Sequence, residues 1–112
     1  SKRFVIATGT IAMIPEIDGL SKAGYITNVE AVSLPELPKR LVVIGGGPIG
    51  LEFAQMFSRL GAQVTVLERG EQPLPREDPE LAMLLCSQLT AEGIRLEFGA
   101  EMRCGDINEH GT

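Results

Sequence analysis

Three glycines and one glutamate carry the chemistry in this chain. Gly45, Gly47 and Gly50 lie in Leu41-Val-Val-Ile-Gly45-Gly-Gly47-Pro-Ile-Gly50-Leu-Glu-Phe, and Glu68 closes a second apolar run, Val64-Thr-Val-Leu-Glu68. A G-x-G-x-x-G string alone is common by chance. Here it leaves a β-branched run, opens an amphipathic segment and has an acid about 20 residues on, which is the context of a dinucleotide-binding loop. Gly45 allows a tight strand-to-helix turn. Gly47 lacks the Cβ that would hold a pyrophosphate off the backbone, and Gly50 lets the helix lie close to the sheet. Gly46, Pro48 and Ile49 complete the loop and the first helical turn, whose free N–H groups and dipole favour an anion. Pro48 suits that turn because the N–H it lacks would have no intrahelical partner.

Glu68 is placed to accept hydrogen bonds from the ribose hydroxyls of an adenosine, and its charge repels a 2′-phosphate. That favours NAD(H) over NADP(H). Arg69 and Arg76 pull the other way, since either can reach a 2′-phosphate. The acid at the strand end is the more direct determinant, and an arginine in a loop is more often simply solvated.

The elements that must position these residues follow from periodicity and punctuation. Arg3 to Ala7 is a short apolar run before Thr8-Gly9 and predicts a buried strand and turn. Residues 11–39 form a connector broken by Pro15, Gly19, Gly24, Pro35 and Pro38, in which Thr27-Asn-Val-Glu30 has capping-box spacing and predicts a helix to about Ser33. Leu41 to Ile44 is the first core strand. Pro48 to Leu60 is the first long helix, expected to bury Ile49, Phe53, Met56, Phe57 and Leu60 and to stop at Gly61. Val64 to Leu67 is the second strand. Pro73 and Pro75 keep residues 69–77 out of regular structure. Asp78-Pro79-Glu80 starts a helix expected to bury Leu81, Leu84, Leu85 and Leu89 and to stop at Gly93. Ile94 to Phe98 alternates as a third strand, and the polar stretch from Glu101 to Thr112 holds at most a strand start and a turn. The pattern is β-α-β-α-β with parallel strands.

The 112 residues suit one domain, and 44% hydrophobic with 22% charged residues is a globular composition. A net charge of −5 argues against nucleic acid, which needs clustered Lys and Arg. No stretch is apolar enough to span a membrane and no leader precedes the fold, so the expectation is a cytoplasmic protein, with Cys86 and Cys104 as ordinary thiols outside any paired motif.

Beyond the glycines, the string Gly45-Gly-Gly-Pro-Ile-Gly-Leu-Glu-Phe-Ala-Gln-Met-Phe-Ser-Arg-Leu-Gly-Ala-Gln-Val-Thr-Val-Leu-Glu68 resembles the nicotinamide-cofactor segment of the flavoprotein disulfide reductases, a family that includes dihydrolipoamide dehydrogenase, mercuric reductase and glutathione reductase. Ile6-Ala-Thr-Gly9-Thr resembles the turn where the family's FAD domain hands over to its NAD domain, and Thr27 to Arg40 resembles the family's connector. The resemblance implies a partial, three-layer Rossmann-like α/β fold with a βαβαβ core and a parallel sheet. Residues 1–39 would be the FAD-domain exit strand and connector, and residues 40–112 the first part of the NAD(P)-binding domain. It also implies FAD and a pyridine nucleotide in the parent protein, with hydride passing from nicotinamide to flavin to disulfide or the reverse. Thr8, Gly9 and Thr10 would touch the FAD. Glu52 would face the flavin and help to position the nicotinamide, although an exposed glutamate on the helix flank is the simpler reading. Met102 would wall the adenine or pack on the core.

Several consequences follow from that resemblance. The FAD fingerprint, the redox cysteine pair and the dimerisation domain with its catalytic histidine are not among these residues, so Cys86 and Cys104 are not the redox pair, His110 is not the catalytic base, and these residues alone are expected to have no turnover. The first core strand is central in the complete fold. Its free edge here leads to two expectations: Phe4 to Gly9 docks beside Leu41 to Ile44, and the chain pairs as a homodimer. A non-catalytic nucleotide-binding module or redox sensor is the alternative function, and a foldable unit without cofactor affinity is a third.

Overall fold

Arg40 to Ile44 is a run of β-branched and aliphatic residues, and it forms the first strand, β1 (Arg40–Ile44). The computed structural model describes residues 2–102 and builds the sheet from three strands in the order β1, β2 (Gln63–Leu67), β3 (Arg95–Glu97). Both pairings are parallel, with Val43 opposite Val66 and Val66 opposite Leu96. Two helices make the crossovers: α3 (Pro48–Arg59) and α4 (Pro79–Ala91). They are preceded by two single turns in the connector, α1 (Leu20–Ala23) and α2 (Asn28–Ala31). The βαβαβ order and the parallel α/β fold expected from the sequence are both present.

Local chemistry sets the helix boundaries. The Asp78 carboxylate accepts the N–H groups of Glu80 and Leu81, and Pro79 occupies the first turn of α4. Thr27 and Glu30 form the capping box the spacing predicts, which starts α2, although the helix ends at Ala31 rather than Ser33. The short helix α1 was not legible from its sequence, Leu-Ser-Lys-Ala, which is too short for a periodic signal. After α3, Gly61 takes a φ of 108° and sends its N–H back to the Ser58 carbonyl, so the chain turns directly into β2.

The core lies between the two helices and one face of the sheet. Leu51, Ala54 and Phe57 of α3 meet Val64 and Val66 of β2, Leu89 of α4 and Ile94, with Leu41, Val43 and Leu96 packed against them. Leu89 and Ile94 are almost wholly enclosed, and burying each contributes about 1.5–3 kcal/mol. The opposite sheet face is open at β1, where Val42 and Ile44 are exposed.

The sequence misplaced the buried stripes. On α3, Ile49, Met56 and Leu60 are exposed, Phe53 is half-buried, and only Phe57 of the expected set is fully enclosed. On α4, Leu89 is buried and Leu85 packs against the core as expected, but Leu81 and Leu84 are exposed and Ala82 and Cys86 are buried in their stead. The physical reason is close approach. Gly50, Ala54 and Phe57, like Ala82, Cys86 and Leu89, recur at helical spacing with the smallest side chains first. A helix pressed tightly on a sheet seats its small residues at the contact and displaces its large ones to the flanks.

The N-terminal strand is a second correction. Arg3 to Ala7 forms no strand, and Phe4, Val5 and Ile6 are 84%, 92% and 86% exposed. Among the described residues β1 pairs with β2 alone, so Phe4 to Gly9 does not dock beside it. An apolar run becomes a strand only where a ladder of backbone partners receives it, and its composition does not encode that partner. Residues 69–77 are irregular, as the two prolines dictate.

Among the described residues no helix is long and apolar enough to cross a membrane. Cys104, His110 and the turn expected after Glu101 lie outside the described residues, beyond Met102.

Candidate dinucleotide site

At the C-terminal end of the parallel strands, β1 runs straight into the glycine loop. Gly45 takes a φ of 107°, a conformation that L side chains rarely adopt, and its N–H donates to the Leu67 carbonyl at 2.8 Å. The loop is therefore tied to the end of β2 before the helix begins. Gly47 is the N-cap of α3, and the first helical hydrogen bond runs from the Leu51 N–H to the Gly47 carbonyl. The N–H groups of Ile49 and Gly50 precede that bond and have no carbonyl behind them in the helix. Pro48 takes the first turn, as its ring geometry favours.

Gly50 has a steric function. A Cβ there would lie 2.2 Å from the Gly45 carbonyl oxygen and 3.3 Å from Val43 Cγ1. The close helix-to-strand packing assigned to this glycine is present. At Gly47 a Cβ would meet nothing within 4 Å, so the space in front of that N-cap is open.

Glu68 is the electrostatic centre of the site. Its Oε2 accepts the Gly46 N–H at 2.6 Å, and its Oε1 accepts the Gly70 N–H at 2.6 Å. Each oxygen keeps a further lone pair. Gly46 is buried against this side chain: a Cβ there would lie 3.1 to 3.3 Å from Glu68 Oε2, Cβ and Cγ. The backbone N–H of Glu68 donates to the Glu97 carbonyl at 2.8 Å, so β3 holds the residue at its proper height. The arrangement can hold an anion at the start of α3 and, beside it, a pair of hydroxyl donors at the carboxylate.

The segment after Glu68 closes over the loop from the other side. Pro73 is fully buried, and Leu74 adopts a left-handed φ of 49°. The Leu74 N–H donates to the Gly46 carbonyl at 3.0 Å, and the Leu74 carbonyl accepts the Glu77 N–H at 2.8 Å. Sequence reasoning saw only irregular chain here. The pair of prolines signals a constrained segment, but nothing in it names Gly46 as the partner.

The other expected site residues are dispersed. Arg69, next to Glu68 in sequence, and Arg76, further along the same loop, are exposed, and Met102 is half-buried. Glu52 is exposed on the outer side of α3, bordering a shallow groove with Gln55, Met56, Arg59 and Leu60. Thr8, Gly9 and Thr10 are exposed in a stretch without regular structure, and the turn expected at Thr8-Gly9 is not formed, although Gly9 has a positive φ of 73°. Cys86 is buried in α4, and that burial pushes its thiol up, away from the reactive thiolate.

A charged clasp joins the two long helices away from the loop. The Glu92 carboxylate, at the C-terminal end of α4, accepts Arg59 Nε and Nη2 at 2.9 Å each, Gln55 Nε2 at 2.9 Å and Gln88 Nε2 at 3.2 Å. Arg59 foremost, with Gln88, holds Glu92 below the usual carboxylate range, and Glu92 raises Arg59 in turn.

Comparison with known proteins agrees with this geometry. The family model of the pyridine nucleotide-disulphide oxidoreductases matches residues 1–111. A mercuric reductase from Staphylococcus aureus is 42% identical over the whole chain, and a dihydrolipoyl dehydrogenase from Acholeplasma laidlawii is 34% identical over 98% of it. Among solved structures, the HOCl-induced flavoprotein disulfide reductase RclA from Escherichia coli superposes with a TM-score of 0.80 at 33% identity, covering 92% of this chain and 24% of that one. The chain spans 20% of the mercuric reductase and 33% of the dihydrolipoyl dehydrogenase. A parallel βαβαβ unit with this glycine loop and this acid, matched over nearly its full length, belongs to the pyridine nucleotide-disulphide oxidoreductase family.

Proposed function

We propose that this chain supplies the nicotinamide-dinucleotide site of an FAD-dependent oxidoreductase acting on a sulfur group, with hydride passing from NAD(P)H to flavin to disulfide or in reverse. Residues 40–112 are the first part of the NAD(P)-binding domain. Residues 1–39 lead out of the FAD domain, with Thr8, Gly9 and Thr10 on the flavin side. The curated relatives support the sulfur-group class: they are named mercuric reductases and a dihydrolipoyl dehydrogenase.

The single observation that carries the reading is the pair of backbone N–H groups, from Gly46 and Gly70, on the two oxygens of Glu68. They hold a carboxylate beside an anion-binding helix start, and they leave lone pairs for the two hydroxyls of an adenosine ribose. The open space before Gly47 suits a pyrophosphate. The residues therefore fit the group: Gly45, Gly46, Gly47, Pro48, Ile49 and Gly50 hold the phosphates, and Glu68 holds the ribose. The bound nucleotide and flavin supply the redox chemistry, while these residues bind and orient. Glu52 borders the nicotinamide side of α3.

NAD(H) is preferred over NADP(H), because a 2′-phosphate would be forced against the fixed Glu68 carboxylate. Arg69 stays solvent-exposed and does not neutralise that charge. Calorimetric titration of the protein with NADH and with NADPH tests this. NADH should bind at least about tenfold more tightly, a difference of about 1.4 kcal/mol. Tighter NADPH binding would overturn the preference, and binding of neither would overturn the site.

A further inference from the structure

Gly46 is gripped through both of its flanking peptides. Its N–H is held by Glu68 Oε2, and its carbonyl is held by the Leu74 N–H at 3.0 Å. All peptide bonds among the described residues are trans. In a trans peptide the carbonyl and the following N–H point in opposite directions. The donor at Leu74 therefore decides which way the Gly47 N–H faces: away from residues 69–77. Leu74 makes this bond while holding a left-handed φ of 49°, and it is the one residue other than glycine with positive φ among those described. Strain of this kind persists only where surrounding contacts over-determine it. Those contacts are the neighbouring buried Pro73, the Glu77 N–H on the Leu74 carbonyl and the packing of the Leu74 side chain on the core.

We propose that Leu74 is a positioning residue for the dinucleotide: its strained backbone pins the Gly46 carbonyl and so aims the Gly47 N–H at the pyrophosphate. The inference rests on the nucleotide-site reading above and adds a residue that the glycine motif does not contain. Two features distinguish it from ordinary loop packing. Its active group is a backbone N–H, and its effect is delivered to a different residue.

The decisive experiment replaces Leu74 with its α-hydroxy acid, which converts one N–H to an ester oxygen and keeps the side chain. NADH and ADP are titrated into the wild type and the ester variant, with the Gly47 amide resonance followed by NMR. The ester should weaken both ligands about five- to tenfold and move the free-state Gly47 resonance. In Leu74→Gly, which keeps the N–H and relaxes the backbone, affinity should equal or exceed that of the wild type. Unchanged NADH and ADP affinity in the ester variant overturns the proposal and leaves the nucleotide site standing. So does a folded Leu74→Gly variant that loses affinity as the ester should, since the side chain and not the N–H would then be responsible. If the wild type binds neither ligand, the nucleotide-site reading fails first. Should the ester variant not fold, the through-hydrogen-bond coupling between the Leu74 N–H and the Gly46 carbonyl, read by NMR in the wild type, decides: a coupling that persists and strengthens with NADH upholds the proposal, and its absence overturns it.

Discussion

Glu68 Oε2 accepts the Gly46 N–H at 2.6 Å, so the acid at the end of the second strand is fastened to the loop at the end of the first. One side chain thereby serves two roles: it satisfies a buried backbone donor and presents a fixed negative charge. The two roles separate in the following tests.

Replacing Glu68 with Ala strands the Gly46 N–H in a buried position and costs about 1–3 kcal/mol of stability. Glu68→Gln keeps an acceptor and should restore most of that stability. It should also narrow the gap between NADH and NADPH, because the charge is gone. Denaturant melts paired with nucleotide titrations check both halves. Equal selectivity in Glu68→Gln and wild type would show that the carboxylate charge does not set cofactor choice.

Gly50→Ala and Gly45→Ala should fail for different reasons. The Cβ at position 50 meets the Gly45 carbonyl oxygen at 2.2 Å, so helix α3 must move off the sheet, at about 1–3 kcal/mol. At position 45 there is room, but a φ of 107° strains any residue with a Cβ; the cost is about 1–2 kcal/mol. A Gly45→Asn variant should recover part of the loss, whereas Gly50→Asn should recover none. Urea unfolding curves distinguish the pair.

Core and surface leucines of the same helix should differ sharply. Leu89→Ala removes a side chain that is 2% exposed, with an expected loss of about 2–5 kcal/mol. Leu84→Ala removes one that is 69% exposed and should lie within about 0.5 kcal/mol of wild type. A large loss at Leu84 in thermal melts would mean that this surface is covered in the functional protein.

Acid should loosen the clasp between α3 and α4. Glu92 is held below its ordinary value by Arg59 foremost, so the unfolded chain binds its proton at a higher pH than the folded one. Its contribution is present above the ordinary glutamate value of about 4.3 and is lost as pH falls through the lower, folded value. Glu30 is lowered by the Thr27 hydroxyl and backbone N–H and behaves in the same way over the same range. In Glu92→Gln the decline in unfolding midpoint on acidification should be shallower than in wild type. Arg59→Gln should give the same flattening, and no further effect should appear in the double variant.

Much of this protein is legible from local pattern, and the reasons are local. Strand β1, the start of α4 at Asp78 and the stop at Gly61 each follow from residues that meet one another along the chain. The glycine loop belongs with them, because a turn at Gly45 and a helix opening at Pro48 are short-range events. Glu68 was identified by its distance along the chain, but its grip on Gly46 arises only when two parallel strands lie side by side. The buried faces of the helices needed the same assembly: close packing at Gly50 goes with Ala54 facing inward on α3, and on α4 the small Ala82 faces the core while Leu84 lies outside, a choice that hydrophobicity does not make. The strand expected at Phe4 to Ile6 failed because a strand is a property of its partner. Leu74 was invisible for the same reason, since its left-handed turn is meaningful only against a carbonyl 28 residues earlier in the chain. Chemistry that depends on residue type is written along the chain, and chemistry that depends on which backbone group faces which is decided by packing.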